Sequence, residues 1–274
     1  MENVIPTQLS TLGHPQRLAI WRLLMRRHPQ ALPAGEIAEI LHLKPSTLSV
    51  YLGALRATGL IAQHRQGTSL RYSAEVGSAG TLLDYLFNDC CRGRPETCLP
   101  GPGRKAANRL YNVLFICSGN SARSIFAETL LRHLAGDRFN AFSAGTAPRS
   151  ELNPVALETL RAKGHDISGL RAKSIRDFQG PEAPQMDFVF TVCDAAANED
   201  CPAWDGQPVS AHWGLPDPVA ATGTEAERAL AFQQAYGLLL NRLRAFTALP
   251  LAELDRISLQ RAVDGIATQT EPAP

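Results

Sequence analysis

A chain of 274 residues, 45% of them apolar and 19% charged, has the length of two domains and the composition of an ordinary globular protein. Its apolar runs fall far short of the roughly 20 residues that span a bilayer, and the start, MENVIPTQLS, lacks the basic-then-apolar pattern of a signal peptide, so neither a membrane protein nor a secreted one is expected. The net charge of +1 is unevenly divided: residues 1–99 hold 10 Lys/Arg against 7 Asp/Glu and the remainder 17 against 19, a bias compatible with nucleic-acid binding by the first part.

In 14–27, Ile20, Leu23 and Leu24 recur at helical spacing, and Pro15 suits a helix start. A second helix is predicted over 33–43, with proline at its head. A third is predicted over 45–59, where Leu48, Leu52 and Leu55 form the apolar stripe and Gly59 a C-cap. Residues 60–75 alternate about Gln66-Gly67 as a β-hairpin does, and helical character returns over 79–91. Two short helices followed by a hairpin make a winged helix-turn-helix; a small helical domain with no DNA role is the alternative.

The order, the lengths and the passage LRATGLIAQHRQGTSLRYS resemble the ArsR/SmtB family of metalloregulatory repressors over about residues 8–98. The resemblance implies a homodimer on a DNA operator, with the first helix and helix 79–91 as dimer elements. It implies that helix 45–59 enters the major groove, bringing Ser46, Thr47, Ser49 and Tyr51 to base edges, while Arg65 and Arg71 of the hairpin meet phosphates. The family often has a basic residue and a histidine where this chain has Val50 and Tyr51, a departure that touches base reading and not the fold.

Cys90 and Cys91 are adjacent at the end of the predicted helix 79–91, and Cys98 follows across RGRPET, where Gly93 and Pro95 favour a turn. Three thiolates without a histidine suit a soft ion with a lone pair, arsenite above all, because zinc normally takes a fourth ligand. The placement resembles ArsR-family repressors whose arsenite site lies at the C-terminal end; helix 33–43 has no cysteine. Three unrelated thiols at a domain edge would be the plain alternative. LPGPGRKAANR then reads as a linker. The division expected is a regulator domain over 1–98, the linker over 99–109, a second domain over 110–267 and a polar tail over 268–274.

From Tyr111 the pattern alternates. Strands are predicted over 111–117, 139–146 and 186–194, and helices over 122–135, 154–164, 225–245 and 251–266. Such alternation gives a parallel sheet with helices on both faces. The fold class expected is therefore a mainly α winged helix-turn-helix followed by a three-layer α/β domain.

Between the first of these strands and its helix lies Cys117-x5-Arg123. Ser118, Gly119, Asn120, Ser121 and Ala122 are small or polar, so the backbone can curl around a tetrahedral anion, with Ser124 just beyond. Successive N–H groups and the helix N-terminus supply a positive field, and Arg123 a planar fork. The same field is expected to lower the Cys117 thiol pKa. A structural cysteine with a chance arginine is the alternative.

The second domain resembles the low-molecular-weight tyrosine phosphatase fold, and more narrowly its arsenate reductase branch, on VLFICSGNSARS, SAGT (143–146), VCDAAANEDCP (192–202) and HWGLPDP (212–218). Phosphatases of the fold usually carry aromatic residues after the Asp-Pro; here Val219 and Ala220 follow, and Cys193 and Cys201 have no role in a phosphatase. The resemblance implies that Cys117 attacks arsenate held by the loop and Arg123, that Asp217 is the general acid, and that Cys193 and then Cys201 carry a disulfide relay. It implies no tightly bound cofactor, and thioredoxin or another thiol as reductant, although Cys193 and Cys201 stand one residue further apart than in the best-known thioredoxin-linked members. On part of its ligand set, Asn120, Glu128 and Ser143, it implies a potassium ion behind the loop. The expected protein is a cytoplasmic arsenite-responsive repressor fused to an arsenate reductase. A tyrosine phosphatase fused to a metalloregulator, and a non-catalytic oxyanion sensor, are the alternatives.

Overall fold

Two units divide the chain, Met1–Gly103 and Arg104–Pro274. The structure, a computed structural model, describes residues 4–86, 90, 110–180, 182–199, 204 and 206–268. Among these residues no helix is long and apolar enough to cross a membrane.

The first unit opens with helix α1 (Val4–Leu12), which the sequence pattern did not announce. Its buried face is partly polar, Gln8 and Thr11 beside Ile5, and Gln8 is tied down by its amide N–H to the Thr58 carbonyl at 2.9 Å. Helix α2 (Pro15–Arg27) starts where Pro15 needs no N–H partner and ends on Arg26 and Arg27, whose charges suit a helix C-terminus. Strand β1 (Leu32–Pro33), α3 (Ala34–Ile40) and α4 (Pro45–Ala57) follow, then β2 (Ile61–Gln66), β3 (Ser69–Ala74) and α5 (Val76–Tyr85). The sheet runs β1-β3-β2, all antiparallel. Because Gln66 pairs with Ser69, the two-residue turn is Gly67-Thr68, one place later than the alternation suggested, and Gly67 takes the positive φ of 61° that such a turn requires. The expected stripes meet in one core: Ile20, Leu23, Leu24, Leu48, Leu52 and Leu55 are all 3% exposed or less.

The second unit is a four-stranded parallel sheet in the order β5-β4-β6-β7. Its strands are β4 (Tyr111–Cys117), β5 (Phe139–Gly145), β6 (Phe188–Thr191) and β7 (Val209–His212). The last was not predicted; VSAH is four residues long and half polar, too short to display a period. Strand β4 lies between β5 and β6 and is buried from Val113 to Cys117, as the unbroken apolar run YNVLFIC requires of a strand covered on both faces. Helices α6 (Arg123–Ala135) and α7 (Pro154–Ala162) follow β4 and β5; α8 (Asp194–Asn198), α9 (Glu225–Thr247) and α10 (Arg256–Thr268) complete the unit. Asn153 caps α7, and a Thr224–Glu227 capping box starts α9. Phe126 of α6 meets Phe232 and Tyr236 of α9 edge-on, while Phe190 stacks on Trp213 at 4.1 Å between centroids. The chain goes from β4 to β5 on one side and returns to β6 on the other. The C-terminal end of β4 is thus the point where strand order reverses, the usual crevice for ligands in such sheets.

Candidate functional site

Cys117 is the last residue of β4, at that crevice. The loop after it is held from outside. Its carbonyls at Cys117, Ser118, Gly119 and Ser121 accept the N–H groups of Thr146, Ala147, Arg149 and Asn153 at 2.9–3.1 Å. Carbonyls turned outward in this way are what an anion-cradling loop requires of its backbone. Gly145 of the SAGT run is required by this contact, since a methyl group there would meet the Ser118 carbonyl oxygen at 2.6 Å. Asn120 takes a left-handed φ of 43°, which asparagine tolerates better than most residues. Its buried amide donates to Ser124 Oγ and Ser143 Oγ, each at 2.9 Å, and accepts the Lys173 N–H at 2.7 Å.

The Cys117 sulfur lies 3.0 Å from Ser124 Oγ and accepts the Asn120 N–H at 3.2 Å. The residue is only 3% exposed. Burial pushes the Cys117 thiol above its ordinary range; the Ser124 hydroxyl pulls it down, the nearby Cys193 pushes it up again, and the Ser124 and Asn120 N–H groups act downward more weakly. This corrects the expectation of a lowered thiol pKa. Desolvation outweighs the donors of the loop, and the fork expected to help is turned elsewhere. Arg123 Nη2 is 2.9 Å from Asp217 Oδ2, and its Nη1 donates to the Leu215 carbonyl at 3.2 Å. Asp217, 42% exposed in its side chain, also accepts the Val219 N–H at 3.1 Å. A cavity of about 230 Å³ is bordered by Cys117, Ser118, Ala122, Arg123, Arg149 and Asp217 among others, so the cysteine, arginine and aspartate expected to act together share one hollow.

Cys193 follows β6, the neighbour of β4, and is 1% exposed. The predicted strand 186–194 ends at Thr191, and Cys193 instead caps α8, its sulfur accepting the Ala196 N–H at 3.4 Å. Ser118 Oγ stands 3.5 Å from that sulfur, so the residue after Cys117 already touches the second cysteine. His212 holds the start of α8: its Nε2 is 3.0 Å from Asp194 Oδ1, and its Nδ1 is 2.9 Å from Thr191 Oγ1. Arg242 donates to the Trp213 and Gly214 carbonyls at 2.7 and 3.1 Å, fixing the backbone that leads to Asp217. Cys201 lies outside the described residues.

Asn120, Glu128 and Ser143 come together behind the loop. Glu128, 3% exposed, spends one oxygen on Arg132 at 2.6 Å and the other on Lys173 Nζ at 2.8 Å and Ser143 Oγ at 2.5 Å. The donor set does not fit potassium, because two cations of the chain already take both carboxylate oxygens. Lys173 carried no signal in the sequence. Arg149 was also missed, although an arginine three residues beyond SAGT was there to be read.

In the first unit, Ser46 and Ser49 of α4 are exposed and Thr47 half-buried; Val50 is 69% exposed. Tyr51 packs on the His14 ring at 4.9 Å. Arg65 curls over the hairpin turn to the Gly67 carbonyl, and Arg71 reaches back to the Ala31 carbonyl at 3.1 Å, part-buried. Ser46, Ser49 and Arg65 are thus the open members of the expected DNA-reading set, whereas Tyr51 and Arg71 lean on the unit itself. Cys90 is exposed and free. Cys91 and Cys98 lie outside the described residues.

Residues 112–258 match the model of the low molecular weight phosphotyrosine protein phosphatases, and residues 14–63 that of the bacterial regulatory proteins of the arsR family. An arsenate reductase of Bacillus licheniformis is 36% identical over 135 residues, 49% of this chain and 93% of the relative. One of Bacillus subtilis is 35% identical over 134 residues, with the same coverage of both. A solved structure of an arsenate reductase in the phosphate binding state is similar over 51% of this chain and 98% of that one, at 26% identity and a TM-score of 0.42. The chain belongs to the low molecular weight phosphotyrosine protein phosphatase family, on its arsenate reductase side, and carries an arsR-family helix-turn-helix ahead of that domain.

Proposed function

We propose that the chain reduces arsenate to arsenite by a cysteine relay and that its first unit is a repressor released by the product. The observation that carries the reductase reading is the pair Cys117 and Cys193. Both are buried at the ends of neighbouring strands, near enough for one to raise the pKa of the other. A phosphatase needs only the first.

Arsenate enters the loop and draws Arg123 from Asp217, an exchange of one anion for another at the same guanidinium. The arriving dianion takes the Cys117 proton that burial otherwise retains. The thiolate attacks arsenic, an S–As bond forms, and one arsenate oxygen departs as water with the proton from Asp217. Cys193, as thiolate, attacks the Cys117 sulfur. The S–As electron pair passes to arsenic, which leaves as arsenite, and a Cys117–Cys193 disulfide remains. Cys201 then attacks Cys193, freeing Cys117, and thioredoxin or another cellular dithiol reduces the Cys193–Cys201 bond. Ser118, Gly119, Asn120, Ser121, Ala122 and Ser124 supply the loop. No resident cofactor enters.

Arsenite formed in this way binds Cys90, Cys91 and Cys98 of a homodimer and lifts it from its operator, within the reducing cytoplasm. On the DNA, Ser46, Thr47 and Ser49 face bases and Arg65 the phosphates, and Tyr51 and Arg71 join them by turning outward from the His14 ring and the Ala31 carbonyl. Tethering keeps product near its sensor, so the bulk concentration can stay low.

The test adds arsenate to the fully reduced chain without oxygen, then measures arsenite and maps disulfides by mass spectrometry. Arsenite together with a Cys193–Cys201 disulfide is the expected result. Free thiols and no arsenite would refute the relay, and turnover of a phosphotyrosine peptide would then speak for the phosphatase.

A further inference from the structure

The hollow above Cys117 is bordered by a second guanidinium that the relay does not use. Arg149 lies in the segment between β5 and α7, four residues past Gly145. Its N–H is bonded to the Gly119 carbonyl at 2.9 Å, which straps this segment across the oxyanion loop. Its side chain runs along Gly119: a methyl group on that glycine would meet Arg149 Cγ and Nε at 3.4 Å. It borders the hollow that Cys117 floors and also an adjoining cavity of about 470 Å³, and the two cavities share Ser121 and Val219 as well. Among the described residues no carboxylate pairs with Arg149, whereas Arg123 is held by Asp217. An arsenate dianion approaching from solvent therefore meets a free fork at the mouth before it can win the engaged one inside.

We propose that Arg149 is a second oxyanion-binding residue, which captures the dianion at the mouth of the hollow and stays on it while Arg123 changes partners. The substrate named here rests on the reductase reading; the anion site itself does not. Two guanidiniums on one small anion neutralise both its charges, and a planar fork offers two parallel bonds where a lysine offers a point charge. Among the described residues Arg149 has no bond to the Cys117 sulfur, so its contribution should fall on binding and not on the chemical step.

Arg149→Gln in the full chain tests this, with arsenate reduction followed under a dithiol reductant and inorganic phosphate as a competitive probe. The KM for arsenate and the inhibition constant for phosphate should rise together, each about 10- to 100-fold, the range for hydrogen bonds to charged groups. The kcat should stay within about twofold. Arg149→Lys should recover part of the loss. An unchanged KM and phosphate constant would overturn the proposal, and so would a fall in kcat at constant KM, which is what a mere strut over Gly119 would give. Titrating phosphate calorimetrically into both proteins decides the matter even where the wild type makes no arsenite; that outcome would remove the reductase reading and leave the anion site to stand or fall on its own numbers.

Discussion

The two units place their working groups in opposite surroundings. In the second, Cys117, Asn120, Ser124 and Cys193 are at most 3% exposed, whereas in the first the expected readers Ser46, Ser49 and Arg65 stand open. The chemistry explains the contrast. A nucleophile that must meet a tetrahedral anion in one geometry needs donors fixed before the substrate arrives, and only a packed interior fixes them. A helix that must enter a groove has to leave its readers outside. Substitutions at these buried positions of the second unit should therefore disturb chemistry and folding together, and those on the face of α4 recognition alone.

The largest effect separates the units outright. Cys117→Ser should abolish arsenite formation and, with it, release of operator DNA on adding arsenate, while added arsenite still releases the DNA through Cys90, Cys91 and Cys98. Loss of both responses in a DNA-release assay would break the proposed coupling. Asp217→Asn comes next. It removes the proposed proton donor and the charge that holds Arg123, and turnover should fall about 10²- to 10⁴-fold, the usual scale for a general acid. A KM for arsenate that drops in the same variant would show that the Arg123–Asp217 pair competes with substrate.

Folding effects should follow burial. Glu128→Ala strips Lys173 and Arg132 of their carboxylate and leaves the nearly buried ammonium without an opposite charge. The expected loss is about 3–5 kcal/mol in urea unfolding of the second unit, less for Glu128→Gln, which keeps an acceptor. On the exposed side, Ser46→Ala or Ser49→Ala should weaken operator binding by about 0.5–1.5 kcal/mol per lost base contact and leave unfolding unchanged. Arg65→Ala should weaken binding to every sequence alike and reduce the salt slope by about one.

What could be read in advance follows the same division. The Cys-x5-Arg turn, the SAGT run and the leucine stripes are local in sequence, and each appears at its expected place. Contacts that close over long separations were not legible. Lys173 meets Glu128 across 45 positions, and nothing in its neighbours marks it. Strand β7 is too short to show a period, and α1 buries polar groups where a periodic reading looks for apolar ones. The Cys117 pKa was misjudged for a related reason. The sequence displays the donors of the loop, but the depth at which the sulfur lies depends on the β5 and β6 strands beside it and on Ser124, and that depth sets the larger effect.

Cys90 and Cys117 turn this last point into the smallest and most discriminating measurement. In the reduced, anion-free chain, alkylation by iodoacetamide can be followed at each cysteine by peptide mapping across pH. Only the thiolate reacts, and exposed Cys90 gives the rate of a cysteine open to the reagent. Cys117 should react more slowly at neutral pH and reach its half-maximal rate at higher pH, because burial raises its pKa. Ser124→Ala removes a bond that lowers the pKa, and should slow Cys117 at pH 7 by a further factor of about two to ten, the worth of one hydrogen bond. Stability carries the matching sign. Below the pKa of the thiol in the unfolded chain both states hold the proton, and the Cys117 contribution is fully present. As pH rises past that value the unfolded chain releases its proton first, and the second unit loses stability until the folded thiol ionises too. A Cys117 that alkylates faster than Cys90 at pH 7 would reverse the argument: the N–H groups of the loop would then outweigh burial, and the buried unit would hold its thiolate ready before any oxyanion arrives.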